Sequence, residues 1–157
     1  MPLIATTLAL VLTLHLLAMN VASGAPLVAI WLTWRAHRRQ DHAAGEAARG
    51  LVRASLVAVF AGLVLGGILL GLVAVNSPDF FATARRIPAS RYWFGVVEVL
   101  FYFTCLTVYL RLARRANEVR RRGMLALQIF ALLLAGTDLV YHFPPLFAVI
   151  GVFGTRH

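Results

Sequence analysis

Four stretches of this chain carry almost no charge and are long enough to cross a hydrocarbon layer, and nothing else in the sequence constrains the fold as strongly. They cover residues 3–34, 54–75, 92–110 and 124–143. Inside a bilayer the backbone must satisfy its own polar groups, so apolar runs of about 20 residues become helices. The expected class is all-α, an integral membrane four-helix bundle, with residues 1–157 forming one transmembrane domain. Composition agrees: the chain is 61% hydrophobic and 13% charged, too few charges to cover a soluble domain of this size. The net charge of +9 would suit a nucleic-acid binder in a soluble protein. Here the arginines lie between the spans, so they point to membrane orientation and anionic lipid, with no nucleic-acid partner.

The first stretch has no basic residue ahead of it, and its small residues around Ala22 to Ala25 are followed by a second apolar run, Leu27 to Trp34. A signal peptide cut there would strand half a hydrophobic segment, so the stretch is read as the first span. Pro26 removes a backbone bond within it, which requires neighbouring helices to satisfy the carbonyl set loose. Residues 35–53, with five arginines, read as a loop holding a short surface helix or turn. The second span carries two G-x-x-x-G pairs, Gly62 with Gly66 and Gly67 with Gly71, a spacing that lets another backbone approach closely. That contact is either within the chain or across a homodimer. Asn76-Ser77-Pro78-Asp79 reads as a helix stop.

Orientation follows from the arginines. The loops after spans one and three carry five and six, the loop after span two carries three, and the N-terminal segment none. This puts the heavy loops in the cytoplasm and both termini outside, in a multi-pass cytoplasmic (inner) membrane protein. After Pro144-Pro145 the tail is apolar but too short to cross. It reads as a re-entrant or interfacial segment, or as a helix continuing past a kink. Cys105 is the only cysteine, so it forms no disulfide within the chain, and its apolar setting makes it a packing residue.

Chemistry is confined to a few polar residues within the spans. Counted from the arginine-rich ends at about 1.5 Å per residue, His15 lies roughly 29 Å in, Asn20 21 Å, Glu98 19 Å, Asp138 22 Å and His142 29 Å. Three different spans thus bring two imidazoles, two carboxylates and an amide towards one layer in the outer leaflet. A carboxylate in hydrocarbon costs about 2.5–3.5 kcal/mol or more on insertion scales, so such groups usually face a protein interior and find partners. Asp138 and His142 share a helix face, as do His15 and Met19, and Glu98 and Tyr102.

The leading expectation is a redox cofactor. His15 and His142 would be axial ligands of haem b, Arg85, Arg86 and Arg91 would meet its propionates, and Asn20 or Asp138 would orient an imidazole. The set His15, His142, Glu98 and Asp138 equally suits an iron, copper or zinc ion. The chain lacks C-x-x-C-H and H-E-x-x-H, so covalent haem attachment and a zincin site are not expected. Two other classes stay open. One is a proton- or cation-coupled transporter using Glu98, dimeric through Gly62, Gly66, Gly67 and Gly71. The other is a non-catalytic subunit of a larger membrane complex or partner of a redox protein. No serine stands convincingly beside a histidine and a carboxylate, and whether the chain is an enzyme stays open.

Overall fold

A computed structural model describes the chain apart from residues 1, 77–78, 81, 83–84, 86–87, 116–121 and 155–157, and gives side-chain surroundings apart also from 2, 115, 122 and 141–154. It consists of four long helices: α1 (Pro2–Arg39), α2 (His42–Asn76), α3 (Ala89–Arg115) and α4 (Arg122–Gly154). Each contains a segment long and apolar enough to cross a membrane. At about 1.5 Å per residue, α1 is roughly 57 Å long, well beyond a hydrocarbon core of about 30 Å.

The arginine-rich segment after the first apolar stretch is not a loop. Its Ala-rich composition supports helix, and α1 and α2 both run through it, leaving only Gln40 and Asp41 between them. Gln40 adopts the left-handed conformation, φ 55°, the usual way to end a helix. Asp41 then starts the next one. Its Oδ1 accepts the Ala44 amide at 3.0 Å, and its Oδ2 accepts Arg35 Nε at 2.9 Å. An N-cap carboxylate of this kind satisfies one of the amides a helix start leaves open. At the other end of α2, the Asn76 side-chain amide donates to the Leu72 carbonyl at 2.7 Å, in keeping with the expected stop. α4 differs from the expected stop at Pro144-Pro145: the helix continues to Gly154. The backbone of the tail is therefore helical past the two prolines.

α1 is the central element. It packs along α2 and against α4, while α3 packs on α4 and touches α2 lightly. Small residues let the backbones close up. α2 buries Ala44, Ala48, Val52, Ser55, Val59 and Gly62, a repeat of three and four residues that keeps one face towards α1. A Cβ placed on Gly45 would touch Ala36, one on Gly62 would fall on Met19, and one on Gly66 would lie 3.1 Å from the His15 ring. Partners therefore move one residue up α2 for each residue down α1, with no slip from Gly45 to Gly66. On α4 the close approach is at Gly136, where a Cβ would lie 2.6 Å from Leu27 Cδ2.

Candidate functional site

The polar groups buried between the helices form three stations along α1. The central one is built on Pro26, which is fully buried. A proline has no amide hydrogen, so the carbonyl four residues earlier, on Ala22, loses its helical partner. Two hydroxyls from other helices replace it. Ser55 Oγ, on α2, lies 2.8 Å from the Ala22 oxygen, and Tyr102 Oη, on α3, lies 2.7 Å from it. The two hydroxyls are 2.5 Å apart. With one proton each they fill two of the triangle's three edges at a time, and every such arrangement leaves Ala22 with at least one donor. The sequence stated the need, since Pro26 implies an orphan carbonyl at Ala22. It did not name the suppliers, Ser55 and Tyr102, which lie on other helices.

The second station lies towards the arginine-rich end, where Tyr109 Oη and Thr33 Oγ1 are 2.9 Å apart and both residues are buried. The third lies on the other side of Pro26. His15 is buried on the face turned to α2, and its Nδ1 donates to the Gly62 carbonyl at 2.8 Å. A neutral imidazole that donates from Nδ1 carries its lone pair on Nε2, the arrangement that a backbone-anchored metal-ligand histidine uses. Met19, one turn away on the same face, is buried against Gly62. The ring lies close against α2 because Gly66 has no side chain there.

Of the other residues expected at this site, Glu98 is half-buried with its Oε1 withdrawn from solvent. It lies one turn from Tyr102, which places it near the level of His15 and Met19. Asp138 is half-buried and close enough to Cys105 to act on it electrostatically. Because Gly136 packs on Leu27 beside the Ser23 carbonyl, Asp138 sits opposite about Ser23. That is roughly 12 Å along the bundle from His15, so the depth coincidence expected for these two does not hold. Asn20 is set apart from His15. It is exposed, because five residues turn a helix by about 140°, and it stands on a different face from His15. Only its backbone takes part in a described bond, accepting the Ser23 hydroxyl at 3.2 Å.

Arg85 and Arg91 are exposed at the end of the bundle opposite the arginine-rich loops, and Arg86 lies outside the described residues. The side chain of His142 lies outside them too, while its backbone falls in α4 at a register opposite Met19. Among the described residues no three His, Cys, Asp or Glu side chains gather into a metal-binding group. Of the four glycines expected at a dimer contact, Gly62 and Gly66 are occupied by α1 of the same chain, and a Cβ on Gly67 or Gly71 would meet open space.

Packing changes sharply at this third station. Among the described residues, α1 has no buried position before His15, α2 none after Gly62, and α3 none before Tyr102. His15, Met19 and Glu98 therefore stand at the floor of a loosely closed end, above a tightly packed core. No protein-family model, curated relative or solved structure matches this chain.

Proposed function

We propose that this protein is a membrane-embedded electron carrier holding haem b at the open end of the bundle, with His15 as one axial ligand and His142 as the other. One observation carries the reading: a histidine anchored through Nδ1 to a backbone carbonyl sits where interhelical packing stops. Such a ring is pre-oriented to offer Nε2 to iron. Haem needs two imidazoles and an apolar cavity, whereas a bare iron, copper or zinc ion needs three or four convergent ligands. Haem asks for only the two imidazoles of His15 and His142, so we place it ahead of a bare ion. Arg85 and Arg91, with Arg86, would meet the propionates at the outer rim. In this reading the arginine-rich end faces the cytoplasm and both termini lie outside.

The test is an absorption spectrum of gently solubilised protein with parallel elemental analysis. A Soret band lost in His15→Ala, with helicity retained, supports the proposal. A spectrum without a Soret band from protein expressed with sufficient haem, and no bound transition metal, overturns it. A second reading, proton-coupled transport, draws on the withdrawn Oε1 of Glu98, since a carboxyl held away from water is suited to exchanging a proton. It requires pH-driven flux in liposomes that Glu98→Gln abolishes.

A further inference from the structure

The helix register puts an arginine where the charge pattern of the sequence did not. Continuing the contacts of Gly45 with Ala36 and Gly62 with Met19 sets Arg53 opposite Val28. Trp31 and Trp34 are exposed, with the Arg35 and Arg38 guanidinium groups over their rings at 5.5 and 5.4 Å. Tryptophans carrying cations mark a headgroup layer. Arg53 is then about six residues, roughly 9 Å, deeper than Trp34, and it is exposed rather than turned into the bundle.

A lipid-facing arginine at that depth keeps its charge solvated by leaning towards the interface, and a helical side chain leans towards its own N-terminus, here the arginine-rich end. Arg49, one turn earlier, makes this lean. Its Nη1 lies 3.9 Å from where a Cβ of Gly45 would be, and its Nη2 lies 4.0 Å from Oε1 of the exposed Glu46. Arg49 and Arg53 share a face. The same face continues into Val57, Phe60 and Val64, which are 69%, 63% and 48% exposed. Two planar cations below and an uncovered apolar strip above match one phosphate with its acyl chain.

We infer that this face of α2 is a binding site for an anionic phospholipid, its phosphate held between Arg49 and Arg53 and an acyl chain lying along Val57, Phe60 and Val64. The site is independent of any cofactor at the opposite end. Native mass spectrometry of delipidated protein, titrated with phosphatidylglycerol or phosphatidylcholine, tests it. The intact protein is expected to retain one phosphatidylglycerol in preference to phosphatidylcholine. The Arg49→Gln/Arg53→Gln variant is expected to weaken that retention by about tenfold or more, and Arg53→Lys, which keeps charge but loses the fork, to fall between. Arg38→Gln/Arg39→Gln serves as a control for general charge and should change retention little. Equal retention of the two lipids, equal loss in the control, or a co-purifying protein whose carboxylate covers Arg53 would overturn the inference.

Discussion

The two ends of this bundle are built on opposite principles. Towards the arginine-rich end, Ala22, Ala29, Ala48, Val52, Tyr102, Leu106, Tyr109, Leu132 and Ala135 are buried, and each buried hydroxyl there has a partner. At the other end the helices carry large exposed side chains such as Trp93, Phe94 and Leu10. Helix association in a membrane has no hydrophobic drive of its own, so it rests on close backbone approach and interhelical hydrogen bonds. The closed half has both. In the open half the described close approach and cross-helix bond gather at His15, and in our proposal haem completes that end.

The sharpest attempt to break this contrast is at its border. His15→Ala is expected to abolish the Soret band while leaving the unfolding midpoint of the closed half nearly unchanged. A large loss of stability instead would make His15 a structural member of the core.

Next in size is the Pro26 clasp. Ser55→Ala or Tyr102→Phe alone should cost about 0.6–2 kcal/mol, since either hydroxyl can serve Ala22. The double variant strands a carbonyl in an apolar core and should cost more than the sum, roughly 2–5 kcal/mol. Pro26→Ala restores the backbone donor, so in that background both penalties should shrink. Unfolding titrations arranged as a double-mutant cycle measure the coupling, and strict additivity would discredit the clasp.

Glycines allow a smaller, paired comparison. Gly136→Val drives a methyl into Leu27 and should cost about 1–3 kcal/mol. Gly67→Val, facing open space in the loose half, should stay within about 0.5 kcal/mol. If Gly67→Val proves equally damaging or disrupts a dimer, the open face is an interface after all.

The smallest expected effect is at the Asp41 turn. The Ala44 amide first, and then Arg35, hold the Asp41 carboxyl below its ordinary value of 3.8. A depressed carboxylate stabilises the turn fully above about pH 4 and loses that contribution as pH falls through the lowered pKa. Asp41→Asn keeps a capping oxygen but should remove the acid-side dependence, read as amide-exchange protection at the start of α2.

The number of helices, their apolar centres and the need around Pro26 were all legible, because each follows from a local rule about charge, length or a lost donor. Depth was not. The charged segment begins after Trp34 on α1 and ends at Arg53 on α2. Counting from those two boundaries treats them as one plane, whereas the register of Gly45, Gly62 and Gly66 offsets them by nearly two turns. Measured from Arg53, the level of His15 is roughly 20 Å rather than 29 Å, so a shared layer with Asp138 could not be read from counting. Azimuth decided the rest: Asn20 sits at a plausible height but on another face. The partners of Tyr102 and Tyr109 were hidden because a tyrosine reaches across a bundle to residues far away in sequence.

The two-residue link at Gln40–Asp41 has a consequence for how the chain is made. α1 meets α2 as soon as α2 emerges, and closing so short a connection costs little entropy, so the glycine–alanine seam zips early in the nascent chain. Ala22 then has Ser55 at once but must wait for Tyr102 until α3 is synthesised. For that interval a single serine guards the one break in the first helix.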